Sequence, residues 1–219
     1  MYCENSFHSF ASIDMEPRER ILVKAHELFN RFGFRRVTMD EIALKTGMSK
    51  KTIYQSFENK DEIVNAVVEE HIAKNCSICE MHSSNAENAV HEIFLNIETI
   101  QELVGEMNPS VFEDLEKYFP AVFLKLYQHK NEYFSKKVKD NLVKGIKEGY
   151  YRKELKVDII TKLRIETVFL PFRQEVFPYG KFNLAEVQKE ILEHYLYGLC
   201  TAEGQKLIKK YEKLRIKTN

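Results

Sequence analysis

The chain has 219 residues, 44% of them hydrophobic and 30% charged, with only 8 Gly and 5 Pro. This mixture excludes a globally disordered chain and disfavours a turn-rich all-β fold; it suits long helices with one solvated face. The formal net charge of +0 argues at first against a nucleic-acid partner, so any such role must rest on local charge.

Met1–Asp14 carries neither a basic n-region nor a long apolar core. The expectation for residues 1–15 is therefore a poorly ordered arm, not a secretory signal. The first helix is expected over Glu16–Phe32. Pro17 suits its first turn, Ile21, Ala25, Leu28, Phe29 and Phe32 make an apolar stripe, and Gly33 offers a left-handed C-cap.

Thr38 with Glu41 three residues on has the spacing of a capping box and opens a short helix through Ile42, Ala43 and Leu44. Gly47 interrupts it, Ser49 can cap a third helix over Lys50–Phe57, and Asn59 with Glu62 opens a fourth, running towards residue 82. Three starts this close together mean three compact helices.

Beyond Ser83 the helices lengthen. They are expected over Glu87–Glu106, Val111–Tyr118, Ala121–Glu148 with Gly149 as C-cap, Val157–Val176 interrupted by Pro171, and from the Asn183–Glu186 cap through Leu199, with a basic helical tail. No strand-like alternation persists, no segment approaches the ~18 apolar residues of a membrane span, and no 20–50-residue repeat is present. The fold class is all-α, divided into an arm (1–15), a head (16–62) and a helical body (63–219).

The head carries the chemistry. Residues 17–60 hold ten basic side chains against five acidic ones, a local charge of +5 that leaves −5 for the rest. That asymmetry suits phosphate attraction at one end, although ordinary surface charge fluctuation competes with it. Two short helices joined through Met48-Ser49 can lay the second in a major groove, which admits one α-helix. Lys50, Lys51, Thr52, Tyr54 and Gln55 lie on or near its polar side, with Ile53 and Phe57 turned to the core. Lys and Gln can read base edges, while Thr38, Ser49, Tyr54 and Lys60 suit backbone phosphates. A solvated polar face on a small helical subdomain is the competing reading.

The run Arg20-Ile21-Leu22, Ala25, Leu28-Phe29, Gly33-Phe34, Thr38-Met39-Asp40-Glu41-Ile42-Ala43, Gly47-Met48-Ser49, Thr52-Ile53-Tyr54, Phe57 and Asn59-Lys60-Asp61-Glu62 resembles the TetR (tetracycline repressor) family of bacterial regulators. The resemblance is strong over about residues 17–64 and architectural beyond. It implies a three-helix DNA-binding head, a helical effector-binding body and a homodimer formed mainly by the last two large helices. By position, Tyr54 matches the family's phosphate-contacting Tyr and Lys60 the Lys opening the fourth helix. Lys51 stands where a small residue is usual, and Ser56 where an aromatic residue or His is common, so no operator sequence can be borrowed.

For the body, an apolar cavity among the aromatics is expected, with Phe94, Phe123, Tyr127, Phe169 and Phe172 as its candidate lining and a small apolar or amphipathic effector as occupant. Val187, Ile191, His194, Tyr195 and Leu199 form a stripe that fits a dimer seam, although burial within one chain gives the same pattern. Cys76 and Cys79 with His71 and His82 look like metal ligands, but the two His lie roughly 16 Å apart along one helix, and two ligands from one helix leave a zinc site incomplete. No metal and no cofactor is expected. Irregularly spaced cysteines suit a reducing cytoplasm.

No Gly-rich phosphate loop, nucleophile elbow or His-Glu-x-x-His is present, so no enzyme is expected. The leading expectation is a ligand-responsive transcriptional regulator, a repressor binding a near-palindromic double-stranded operator as a homodimer. The alternative is a helical small-molecule-binding protein without DNA binding.

Overall fold

The computed structural model describes residues 15–105 and 107–218; the arm expected at the N-terminus lies, up to residue 14, outside the described residues. Among the described residues all regular structure is helical, apart from isolated bridges between Tyr151 and Cys200 and between Tyr179 and Phe182. In chain order the helices are α1 (Pro17–Phe32), α2 (Met39–Thr46), α3 (Lys50–Ser56), α4 (Lys60–Asn85), α5 (Ala89–Gly105), α6 (Val111–Tyr118) and α7 (Pro120–His129). A π turn (Lys130–Phe134) leads into α8 (Ser135–Lys147), followed by α9 (Val157–Phe169), a 3-10 turn (Leu170–Phe172), α10 (Leu184–Leu199) and α11 (Ala202–Thr218).

Local chemistry sets most of these boundaries. The Thr38 hydroxyl accepts the Glu41 amide while the Glu41 carboxylate accepts the Thr38 amide, so two orphan donors of α2 are satisfied reciprocally. Gly47 ends α2 in the left-handed region at φ 68°, ψ 23°. The side chains of Ser49, Asn59 and Asn183 accept the amides of Thr52, Glu62 and Glu186 in the same way. At Asn59 the reciprocal arm differs from the expectation, because the Glu62 carboxylate accepts the Glu58 amide instead.

Three expectations are corrected. Gly33 has a positive φ of 80° but an extended ψ of 161°, so it leads the chain away from α1 and does not form a left-handed cap. The long helix after Pro120 contains a π turn at Lys130–Phe134, which no propensity signals. The helix from Val157 ends at Phe169 and does not resume. Pro171 sits in the closing 3-10 turn, where its missing amide costs no α-helical hydrogen bond.

Two hydrophobic cores result among the described residues. The first joins α1–α3 and the start of α4 to α6 and α7, from Ile21, Phe29, Ile42 and Ile53 through Ile63 and Val67 to Val111, Leu115, Phe119 and Leu126. The head is thus fused to the first layer of the body. The second core joins α5, α8, α10 and α11 through Val90, Phe94, Ile97, Leu142, Tyr151, Leu192, Leu196 and Tyr211. At 26 residues, α4 is ~39 Å long. Its first turns pack in the head core, and its middle reaches the body.

Candidate nucleic-acid interface and cavity

The head presents α3 as an exposed polar helix. Ile53 and Phe57 are fully buried, which fixes the helix against α1 and α2 and turns Lys50, Lys51, Tyr54 and Gln55 outward. Tyr54 is 51% exposed, a large aromatic left in solvent beside lysines. Thr52 is half-buried, and its hydroxyl pairs with that of Ser49 at 2.9 Å. Lys51 has no ion pair among the described residues, whereas Lys50 Nζ lies 2.7 Å from Asp40 at the start of α2, which raises its pKa.

Lys60 is placed differently from the other candidates. It is half-buried, its Nζ donates to the Arg35 carbonyl at 3.2 Å, and it lies over the Phe119 ring. Burial holds its ammonium below its ordinary pKa. Its hydrogen bond ties α4 to the α1–α2 connection.

The head meets the body at α6. Asn108 donates from its backbone amide to the Asn30 carbonyl and from its side chain to the Arg31 carbonyl, satisfying acceptors left open at the C-terminus of α1. The buried Asp114 carboxylate accepts the Arg35 amide at 2.9 Å. Gly33 is required there, since a Cβ would fall 2.6 Å from that carboxylate and 2.7 Å from the Ser110 hydroxyl.

A cavity of about 230 Å³ lies between the two cores, walled by α4–α10. Of the five aromatics expected to line it, Phe169 and Phe172 do so. Phe94 lies instead in the second core against Tyr211, Phe123 packs on the first core, and Tyr127 is 44% exposed with Lys130 over its ring. Phe112 and Phe134 join them on the wall, and the Phe112 ring meets that of Phe169 edge-on at 5.0 Å and lies tilted 4.2 Å from that of Phe172. Arg164 is also on the wall. Its sequence signal was a single cation at a core position of an otherwise apolar helical face with Ile165 and Val168.

The stripe expected at the dimer seam divides between two surroundings. Val187 and Leu199 are buried within this chain, and Tyr195 lines the cavity. His194 is exposed and Ile191 half-buried. The more exposed apolar side chains nearby are Ile159 and Leu163, one turn apart on α9, at 67% and 55% exposure.

His71 also faces the cavity, and burial pushes its pKa down to about 4, with the nearby His26, Lys74 and His129 acting in the same direction. The Cys79 thiol is pushed up to about 11 by burial, which makes it a poor thiolate. Cys76 Sγ lies 4.0 Å from His129 Nε2, and no group of three metal-ligating side chains is present among the described residues.

Residues 21–67 match the family described as bacterial regulatory proteins, tetR family. The chain is 25% identical over 189 residues to the HTH-type transcriptional regulator YvaF of Bacillus subtilis (strain 168), covering 84% of this chain and 96% of the relative. YvkB of the same organism, also an HTH-type transcriptional regulator, is 32% identical over 122 residues, 54% of this chain and 61% of the relative. Among solved structures, a TetR-family transcriptional regulator from Marinobacter aquaeolei VT8 superposes with a TM-score of 0.69 at 18% identity, covering 91% of this chain and 98% of that one. No helix among the described residues is long and apolar enough to cross a membrane. The head, over residues 21–67, thus matches the tetR family of bacterial regulatory proteins, and the whole chain shares the fold of solved TetR-family regulators.

Proposed function

We propose that the chain is a ligand-responsive repressor that acts in the cytoplasm and binds a near-palindromic operator as a homodimer. The observation that carries this reading is an exposed polar helix on a basic head, joined through α4 and α6 to a body that encloses a cavity. Lys51, Tyr54 and Gln55 would face the groove, Thr38 and Ser49 would approach phosphates from helix starts, and Lys50 would join them on leaving Asp40. A dimer would set its two recognition helices about one DNA turn (~34 Å) apart or somewhat more.

The same geometry supports a route from cavity to head. Phe112 touches the cavity aromatics, and two residues later Asp114 holds the Arg35 amide. An occupant that displaces Phe112 moves the helix on which the head rests. Ligand and operator then compete by favouring different head spacings, with no contact between them.

Gel-shift titration on the chain's own upstream duplex across a salt series tests this. Affinity should fall steeply with salt, and Lys51→Ala should lower the log–log slope by ~0.9 for one lost phosphate contact. Undetectable or salt-insensitive binding overturns it. The engagement of Lys50 with Asp40 and of Lys60 with the Arg35 carbonyl favours a second reading, a ligand-binding protein with a silent head. That reading expects no preference for any duplex.

A further inference from the structure

The cavity wall is built largely of apolar side chains, among them Phe112, Phe134, Phe169 and Phe172. Arg164 breaks that pattern. It projects from the middle of α9, is only 7% exposed, and its Nη1 is buried with no hydrogen-bond partner among the described residues. No carboxylate pairs with it among those residues. Its guanidinium instead lies over the Tyr195 ring, with Cζ 5.4 Å from the centroid.

Burial penalises a charge, yet Arg does not shed its proton at any physiological pH. A guanidinium held dry without a counter-ion is a costly arrangement that an incoming anion would relieve. The remaining charged groups of the wall are already matched. Lys137 pairs with Glu80 at 2.8 Å, and Glu92 with Lys144 at 3.5 Å. His71 is neutral near pH 7, because its pKa is pushed down to about 4. Among the described residues the cavity therefore carries one unanswered positive charge. Tyr195, on the same wall, has a hydroxyl with no hydrogen bond among the described residues and offers a second donor.

We propose that the cavity binds a small monocarboxylate, its carboxylate on the Arg164 guanidinium and its apolar tail among Phe112, Phe134, Phe169 and Phe172. This deepens the reading of the cavity as an effector site and rests on it. The planar fork of Arg matches a carboxylate with two parallel hydrogen bonds. A dianion such as phosphate needs a second free cation, which Lys137 does not supply while it pairs with Glu80. The volume is ample for a short tail, since an apolar cavity of ~150 Å³ already takes a benzene ring.

Calorimetric titration of the full chain with octanoate and with octanamide, which share a tail and differ in charge, tests the assignment without any variant. Octanoate should bind about tenfold or more tightly and should raise Tm more. Arg164→Gln should bring the two ligands to nearly equal affinity, and Arg164→Lys, which keeps the charge without the fork, should retain part of the preference. Because the guanidinium has no carboxylate partner among the described residues, Arg164→Gln should leave Tm unchanged or raised. Equal affinity of the wild-type chain for both ligands, no binding of either, or a preference that survives Arg164→Gln overturns the proposal. Duplex binding measured in the same samples separates the two readings. An acid preference without duplex binding sinks the repressor alone, and duplex binding without the preference sinks the acid site alone.

Discussion

At the scale of single residues, the head holds a lysine in reserve. Lys50 and Asp40 are both well exposed, and their 2.7 Å pair competes with phosphate for the same ammonium. Asp40→Asn should therefore raise duplex affinity severalfold and steepen the salt slope by up to ~0.9, at a cost to α2 of only ~0.3–1 kcal/mol of dipole stabilisation. A salt-series gel shift on the variant reads both quantities, and an unchanged slope would show that Lys50 stays away from the DNA.

His71 makes a second prediction at this scale. Its pKa is depressed to about 4 in the folded chain, against about 6.5 for an unperturbed histidine, so the unfolded chain binds more protons between those values. Stability should be intact above pH 6.5, fall as the pH drops towards 4, and level off below. His26 and His129, whose pKa values are also lowered by burial, add to the same slope. His71→Gln should flatten the dependence in denaturant titrations at pH 7 and pH 4.5. An undiminished slope would place its origin elsewhere.

At the scale of elements, the second core depends on one close approach. Gly145 of α8 faces Tyr151, which is 1% exposed and donates to the Ala89 carbonyl and to Asn141. A Cβ at Gly145 would fall 2.1 Å from that ring. Gly145→Ala gains the ~1 kcal/mol that Ala brings to a helix, but forces apart a ring pinned at both ends. The net cost should be about 1–3 kcal/mol, a fall in Tm of roughly 2–4 °C per kcal/mol at this chain length. A thermal melt checks it, and a rise in Tm would mean that the ring can yield. The π turn before α8 has a related packing role. Its Lys130 is 5% exposed, lies over the Phe169 ring and pairs with Glu166 at 3.0 Å, linking α7 and α8 to the helix that carries Arg164.

Element boundaries were the most legible feature of the sequence, because they depend on neighbours in the chain. Thr38–Glu41, Gly47, Ser49 and Asn183 each act within three or four residues, and each stop or start appears where its chemistry puts it. The exceptions involve contacts from afar. Gly33 adopts an extended ψ where Asp114 and Ser110 press against it from α6. Pro171 ends a helix because the chain then turns, with the Tyr179 hydroxyl donating to the Pro109 carbonyl and more weakly to that of Phe172 at 3.5 Å.

At the scale of the whole molecule, the question is how two copies meet. Ile159 and Leu163 leave an apolar strip on the outer face of α9, and Tyr197 of α10 is 39% exposed. In the proposed homodimer these surfaces are covered. Ile159→Glu combined with Leu163→Glu should convert dimer to monomer in sedimentation and abolish operator binding, with helix content unchanged by circular dichroism. A variant that still sediments as a dimer would move the seam to another face.

The sequence by itself determined the class, the helix order and the outward side of the head. Each follows from periodicity, capping chemistry and local charge, which act along the chain. It could not decide which aromatic meets which. Phe94 and Phe169 are chemically alike and both sit on apolar helical faces, yet one packs on Tyr211 and the other lines the cavity. Nor could it decide that Tyr195 faces inward or that Lys60 bonds to the Arg35 carbonyl. Only the tertiary structure set these, because burial periodicity names the face of a helix and the packing of separate helices names its neighbour. Arg164 shows the same division. Its charge is plain in the sequence, and its lack of a counter-ion among the described residues becomes visible only once the helices are packed.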